Sequence, residues 1–392
     1  MTNLTKYIVE TLWEDEEFVL SRRVWDDKHP SLLVSTPASA QPTMETVARL
    51  NHAYTLRDEL DSAWAARPLA LESRDGSSAL LIEDPGGEVL ARMIGTPWDL
   101  KPFLHVAIGL AVSLGRLHNR GFIHKDVKPS NILVNIDSHD LWLVGFGIAS
   151  RLPRERRTPE PPEIIAGTLA YMAPEQTGRM NRSIDSRSDL YSLGITLYEM
   201  LTGTLPFTAS DPMEWIHCHI ARQPIPPDER ANGIPAPVAA IVMKLLAKTA
   251  EDRYQTAAGV ESDLRRCLAD CELHGRIGPF ALGKNDIPDR LLIPEKLYGR
   301  AREVDTLLAS FDRIVKSGKP ELVLVSGYSG IGKSAVVNEL HKPLVPPRGL
   351  FASGKFDQYK RDIPYATLAQ ACKDLSRINS SKDGSRPDDL LT

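Results

Sequence analysis

Short β-prone runs occupy the beginning of the chain and helical patterns follow them, and this order limits the fold more than any other feature of the sequence. Apolar spacing favours one helix among the β-prone runs, over Thr43–Leu60. The β-prone runs are Tyr7–Glu10, Phe18–Leu20, Ser31–Ser35 and Ala79–Glu83. The later helical patterns are Phe103–Leu117, Tyr191–Leu201 and Val238–Lys248. Strands in one region and helices in the next predict an α+β fold with a small β-rich lobe and a larger helical lobe.

Composition excludes several classes of protein. The chain has 392 residues, of which 42% are hydrophobic and 25% charged, as in ordinary globular proteins of two or three domains. The net charge of −4 gives no basic excess, so we expect no nucleic-acid partner. Four cysteines are too few for a disulfide framework. The longest membrane-like apolar stretch, 106–115, is about half of the roughly 20 residues that a bilayer needs. With no signal-peptide pattern at the N-terminus, we expect a cytoplasmic protein without a membrane partner.

One segment carries the residues of a phosphotransfer site. It reads Phe122-Ile-His-Lys-Asp-Val-Lys-Pro-Ser-Asn-Ile-Leu-Val134 and resembles the catalytic loop of protein kinases. The resemblance implies that Asp126 accepts a hydroxyl proton and that Asn131 holds a metal ion on the phosphates. It also implies that Lys128 places a positive charge near the transferred phosphoryl group. These are the candidate catalytic residues, and Asn131 is the candidate metal ligand of this site.

Later segments extend this resemblance in the order found in kinases. Gly167 to Glu175 is similar to the end of an activation segment, and Ser188 to Gly194 is similar to a buried helix that anchors the catalytic loop through Asp189. Arg253 matches a late arginine that pairs with Glu175. The region 5–272 thus resembles bacterial serine/threonine kinases. The resemblance implies a bilobal protein-kinase-like fold with an N-lobe at 1–84 and a C-lobe at 85–272. It also implies ATP, Mg²⁺, and a protein substrate or signalling partner.

Several parts of a kinase nucleotide site are missing. The first glycine of the chain is Gly76, so the β-rich region has no glycine-rich loop to wrap phosphates. No lysine occurs between Lys28 and Lys101, and Ser31–Ser35 holds the position of the phosphate-gripping strand lysine without one. Ala53 occupies the likeliest site of that lysine's glutamate partner, and Gly145 replaces the metal-binding aspartate.

Two interpretations of these losses stay open. One is a weakly active kinase, in which Arg22 or Arg23 near the second strand could point at the phosphates. The other is a pseudokinase scaffold or nucleotide-sensing module without phosphotransfer. Each lost ligand contacts the same triphosphate, so we expect transfer to be slower by several orders of magnitude.

A second phosphate-binding motif follows. Residues 327–334 match Gly-x-x-x-x-Gly-Lys-Ser, between a predicted strand at Glu321–Ser326 and a helical pattern from Lys333. The motif's glycines would turn backbone N–H groups toward a phosphate, its lysine would reach the terminal phosphates, and its serine would ligate Mg²⁺. The candidate nucleotide-binding residues are Gly327, Gly330, Gly332, Lys333 and Ser334.

The surroundings of this motif resemble signalling ATPases of the AAA/STAND kind. The similar segments are Leu297–Glu303, Gly354–Gln358 and Pro364–Tyr365. Together with the kinase-like region they resemble the N-terminal part of bacterial multi-sensor signalling kinases. About 95 residues follow from Leu297, fewer than a typical ATPase core needs. We therefore expect a linker at 273–296, a partial α/β P-loop unit at 297–375 that binds ATP weakly without hydrolysing it, and a disordered tail at 376–392.

Cys267, Cys271 and His274 share one predicted helix face, a spacing that suits a metal ion. No fourth ligand is visible in the sequence, and burial of the two thiols in a helical core explains the pattern better.

Overall fold

The computed structural model describes residues 7–25, 30–74, 77–151, 167–177, 183–288, 299–328 and 331–338. The chain forms two compact units, Met1–Lys296 and Leu297–Thr392. The finer domain limits expected from the sequence stay predictions.

The first unit begins with an antiparallel five-stranded sheet and one helix. The strands are β1 (Ile8–Glu14), β2 (Phe18–Val24), β3 (Leu32–Pro37), β4 (Pro68–Arg74) and β5 (Ser77–Glu83), in the order β1-β2-β3-β5-β4. The helix α1 (Met44–Thr55) packs against the sheet. Its N-cap is Thr43, whose hydroxyl accepts the Thr46 N–H at 3.1 Å. The four predicted strands are present. Sequence reasoning missed β4 and placed the end of α1 five residues too late, at Leu60.

The helical lobe follows and holds most of the buried core. Its strands are β6 (Glu88–Val89), β7 (Phe122–Ile123), β8 (Ile132–Val134), β9 (Leu141–Leu143) and β10 (Ser150–Arg151). Its helices are α2 (Leu100–Asn119), α3 (Ser186–Thr202), α4 (Pro212–Ile220), α5 (Pro227–Arg230), α6 (Ala236–Leu245) and α7 (Ala257–His274). By length and composition α2 is the one described helix that could cross a bilayer. Within this fold it is a core helix that packs against α7, with Phe103, Leu104 and Leu110 fully buried.

A buried ion pair stabilises the helical lobe. Arg253 donates to both carboxylate oxygens of Glu175, at 2.7 and 2.9 Å, which confirms the predicted pair. Ser188 donates to the same carboxylate at 2.7 Å. Burial alone would raise the pKa of Glu175, but the charge and hydrogen bonds of Arg253 hold this pKa below its ordinary value.

The described part of the predicted linker belongs to the first unit and packs against its helical lobe. The Asp286 carboxylate accepts hydrogen bonds from the Thr256 N–H at 2.9 Å and from the Gln255 N–H at 2.6 Å. The Phe280 ring lies 4.4 Å beneath the Arg266 guanidinium. This segment satisfies backbone donors at the start of α7, so it behaves structurally as an extension of the helical lobe as far as residue 288.

The second unit is described over two helices and the segment between them. Helix α8 (Ala301–Ser317) comes first, and α9 (Lys333–Asn338) begins where the helical pattern from Lys333 predicts a helix. The strand predicted at Glu321–Ser326 is wrong, because residues 318–328 form no strand and Leu322 is 95% exposed. A strand needs a neighbour for its backbone hydrogen bonds, and the described part of this unit supplies none. Gly354–Gln358, Pro364–Tyr365 and the predicted tail lie outside the described residues.

Candidate functional site

The loop between β7 and β8 is fixed from below by one buried carboxylate. Asp189 of α3 accepts the backbone N–H groups of His124 and Lys125, each at 2.8 Å, and lies 2.8 Å from Nε2 of His118. Lys125 adopts the left-handed conformation, with φ at 69°. The two hydrogen bonds to the Asp189 carboxylate stabilise the backbone in this turn. The predicted anchoring role of Asp189 is confirmed.

The loop brings the three candidate catalytic residues together. Asn131 Nδ2 donates to Asp126 Oδ2 at 2.9 Å, and Lys128 Nζ lies 3.5 Å from the same oxygen. His124 braces this arrangement, since its Nε2 lies 2.9 Å from the Val144 carbonyl. Burial lowers the pKa of His124, so the ring is neutral and donates to that carbonyl.

Thr168 completes this cluster, and sequence reasoning did not single it out. Its N–H and its hydroxyl both donate to Asp126 Oδ1, at 3.0 and 2.9 Å. Its hydroxyl also accepts from Lys128 Nζ at 2.8 Å. Both Asp126 oxygens are therefore held in place, in a geometry that suits proton acceptance from a substrate hydroxyl. The only sequence signal for Thr168 was its position beside Gly167 in the activation-segment motif.

A cleft of about 140 Å³ lies between the sheet and this loop. Its walls are mainly apolar, and side chains of both lobes contribute to them. The apolar lining includes Leu20, Ala66, Leu80, Ile82, Val144 and Phe146. Ser35 of β3 and Ala53 of α1 line it too. Ser35 belongs to the run 31–35, in which the sequence predicted a lost lysine, and Ala53 is the position at which it predicted a lost glutamate.

The turn between β1 and β2, residues 15–17, presents acid instead of glycine to this cleft. Asp15 Oδ2 lies 3.5 Å from Lys128 Nζ, and Glu17 Oε2 accepts from Arg49 at 2.6 Å. Burial raises the pKa of Glu17, and Arg49 opposes that rise. The missing glycines were predicted from the sequence, but the acidic residues in their place were not. The run of acidic residues at 14–17, between two β-prone runs, was the available signal.

The hypothesis that Arg22 or Arg23 reaches the phosphates is wrong. Arg22 donates to Asp84 at 2.7 Å and to the Gly87 carbonyl at 2.6 Å. The Arg23 guanidinium lies 5.1 Å above the Tyr7 ring. Strand alternation sends the two side chains to opposite faces, as expected, but each is drawn to a partner away from the cleft.

The side chain of Asn131 fills the space that an aspartate side chain at position 145 would need. Gly145 has φ at 79°, and a Cβ there would lie 2.4 Å from Asn131 Oδ1. An aspartate at 145 would therefore require Asn131 to move. The described residues contain no group of three His, Cys, Asp or Glu side chains suited to a metal. Mg²⁺ normally takes one or two carboxylates together with phosphate oxygens, and position 145 supplies none.

The P-loop of the second unit is partly described. Lys333 Nζ donates to the carbonyls of Gly327 and Tyr328, both at 2.8 Å. Gly327 and Gly332 have φ at 155° and 94°, which are values that favour glycine. Gly330 and the side chain of Ser334 lie outside the described residues, so their predicted roles stay predictions.

The metal interpretation of Cys267, Cys271 and His274 is not supported by their surroundings. Cys267 is fully buried and Cys271 nearly so. Burial raises the pKa of Cys267 to about 12, which keeps the thiol protonated and unsuited to a metal. The two cysteines lie on α7 and pack into the core.

Comparison with known proteins identifies two domains. Residues 76–264 match the protein kinase domain, and residues 296–391 match the AAA ATPase domain. Serine/threonine-protein kinase PknB of Mycobacterium tuberculosis is 38% identical, over 48% of this chain and 30% of PknB. PknB of Mycobacterium leprae is 34% identical, over 57% of this chain and 34% of that protein. Hybrid signal transduction histidine kinase G of Dictyostelium discoideum is 29% identical, over 71% of this chain and 11% of that protein.

The chain therefore contains a region that matches the protein kinase domain, followed by a region that matches the AAA ATPase domain. The bilobal fold predicted from the sequence is confirmed, and so is the order of the two domains. The chain spans about a third or less of the length of these relatives.

Proposed function

We propose that this chain is a signalling protein of the serine/threonine kinase family whose kinase domain is at most weakly active. One observation carries the proposal. Asn131 and Thr168 donate hydrogen bonds to the Asp126 carboxylate, whereas Asp15 and Glu17 of the β1–β2 turn line the same cleft. Because like charges repel strongly in a partly desolvated cleft, a triphosphate is held poorly there.

In residual transfer, Asp126 takes the proton from a substrate hydroxyl. Thr168 and Asn131 hold the carboxylate in position through hydrogen bonds. Lys128, 3.5 Å from Asp126, offers the nearest positive charge to a transferred phosphoryl group. The missing metal carboxylate, strand lysine and glycine loop each remove a few kcal/mol of transition-state stabilisation, and about 1.4 kcal/mol is a factor of ten in rate. We therefore propose a rate several orders of magnitude below that of an intact kinase.

The test is transfer of labelled phosphate from ATP to protein by the full chain. Asp126→Asn is the inactive comparison, and Asp137→Asn, an exposed site in the β8–β9 connection, is the matched control. We expect a small incorporation that Asp126→Asn abolishes and Asp137→Asn preserves. Equal incorporation in all three proteins would eliminate the kinase and leave the scaffold alternative. Counting phosphate in protein, rather than ATP consumed, keeps the ATPase domain out of the result.

A second proposed function is nucleotide sensing by the AAA ATPase domain. The observation that favours it is the P-loop lysine, Lys333, whose Nζ lies along the loop and donates to the carbonyls of Gly327 and Tyr328. We expect ATP to raise the thermal unfolding temperature of the chain, and Lys333→Ala to remove that increase. An unchanged increase in Lys333→Ala would assign the binding to another site. We further propose a protein substrate or signalling partner and a cytoplasmic location.

A further inference from the structure

Both cationic side chains that line the described cleft are already paired with carboxylates of the β1–β2 turn. Lys128 of the catalytic loop lies 3.5 Å from Asp15, and Arg49 of α1 lies 2.6 Å from Glu17. The turn thus contacts the helical lobe through one carboxylate and α1 through the other. A phosphate entering the cleft would need these same two cations.

The turn holds the Asp15 carboxylate in a fixed place. Asp15 Oδ1 accepts the backbone N–H groups of Glu17 and Phe18, at 2.9 and 2.8 Å. The Asp15 N–H donates to the Phe18 carbonyl, and the Ala38 N–H donates to the Glu17 carbonyl, both at 3.0 Å. A carboxylate held by its own backbone loses little conformational freedom when it meets a cation. The Asp15–Lys128 pair therefore forms at lower entropic cost than a pair between long exposed side chains.

Partial burial strengthens these pairs. Side-chain exposure is 14% for Lys128 and 34% for Asp15, and it is 21% for Arg49 and 34% for Glu17. Salt and water screen such pairs less than fully exposed ones. A competing phosphate must therefore displace both carboxylates or lie beside them with its own negative charge.

We propose that the β1–β2 turn is an internal anion that takes the place of nucleotide phosphates. Asp15 pairs with Lys128 and Glu17 pairs with Arg49, so these two acidic residues decide which ligands enter the cleft. While both carboxylates hold these cations, polyanions are excluded. The other partners of the two cations, Asp126 at 3.5 Å from Lys128 and Glu45 at 2.8 Å from Arg49, lie on the catalytic loop and on α1 and not on the turn. The inference rests on the proposed weak nucleotide site and names what keeps that site weak.

The test compares two charge-matched double variants in the full chain. Asp15→Asn with Glu17→Gln removes the carboxylates that face the cations, whereas Glu14→Gln with Glu16→Gln removes two exposed neighbours in the same stretch. Both pairs change the net charge by the same amount. Lys333→Ala is present in every protein, so that ATP binding to the P-loop is eliminated. ATP affinity is measured by calorimetry, with and without Mg²⁺.

We expect the Asp15→Asn, Glu17→Gln protein to bind ATP about tenfold or more tightly than the Glu14→Gln, Glu16→Gln protein. Equal affinities in the two proteins would overturn the proposal. It would also be overturned if the protein with the unchanged turn bound ATP as tightly as the Asp15→Asn, Glu17→Gln protein. If the double variant does not fold, the single variants Asp15→Asn and Glu17→Gln are compared with Glu14→Gln and Glu16→Gln in the same way.

The two proposals can fail separately. The weak-kinase proposal is judged by phosphate transfer that depends on Asp126, with the turn unchanged. The internal-anion proposal is judged by ATP affinity, which needs no transfer. Rapid transfer by the unchanged chain would contradict the first proposal. Equal affinity of the matched variants would contradict only the second.

Discussion

The two lobes of the kinase domain differ in how far their sequences depart from other kinases. The match to the protein kinase domain begins at residue 76 and so leaves out β1 to β4 and α1. Those elements still form a five-stranded antiparallel sheet with a packed helix. In the helical lobe, the buried carboxylates Asp189 and Glu175 keep their partners. The comparison teaches that a lobe whose sequence lies outside the family match can still form a sheet with a packed helix, because apolar burial stabilises it.

The largest expected effect contrasts one ion pair from each lobe. Glu175→Gln leaves Arg253 buried without a counter-charge, and we expect a loss of about 3–5 kcal/mol in the free energy of unfolding. Glu17→Gln breaks a partly exposed pair with Arg49, and we expect less than about 1 kcal/mol. Urea unfolding of both variants measures the contrast. Similar losses would show that the sheet lobe depends on its ion pairs as the helical lobe does.

The second expected effect is acid sensitivity of the helical lobe. Burial lowers the pKa of His219 to about 3 from an ordinary value of 6.5. Between these values the unfolded chain binds a proton that the folded chain does not, so stability falls as pH drops below about 6.5. We expect a loss of about 4 kcal/mol by pH 3 from this residue. His219→Gln should flatten the unfolding free energy over this pH range, and an unchanged slope would contradict the assignment.

A third prediction concerns restoration of the lost metal ligand. Gly145→Asp should not restore Mg²⁺-dependent transfer, because its Cβ would meet Asn131 at 2.4 Å and the backbone there is left-handed. We expect a loss of stability of about 1–3 kcal/mol instead. Thermal unfolding and labelled-phosphate transfer measure the two effects. A gain in transfer with no loss of stability would mean that the cleft still accommodates the ligand.

The smallest expected effect lies in the cluster around Asp126. Thr168→Val removes a hydroxyl that joins Asp126 to Lys128, and we expect residual transfer to fall about tenfold, equivalent to about 1.4 kcal/mol. Thr168→Ser keeps the hydroxyl and is the matched control. Equal rates in the two variants would show that the Thr168 hydroxyl does not contribute to proton acceptance.

Much of the site could be predicted, because its residues are close in sequence. Asp126, Lys128 and Asn131 lie within six positions, so their proximity depends only on one loop. The roles of Asp189 and Arg253 followed from motif order. Thr168 and the turn at 15–17 were not found, because each meets the catalytic loop only through the tertiary fold. Arg22 was placed near the second strand, but its partner, Asp84, is remote in sequence.

The sequence by itself determined the order of β-rich and helical regions, the catalytic loop and the P-loop, because local patterns of apolar spacing and short motifs encode them. Only the tertiary structure decided which charges face each other across the cleft. Asp15 and Lys128 lie more than a hundred positions apart, and their pairing follows from how the β1–β2 turn folds over the catalytic loop. The strand expected at Glu321–Ser326 depends on the same kind of information, since a strand forms only where a neighbour accepts its hydrogen bonds.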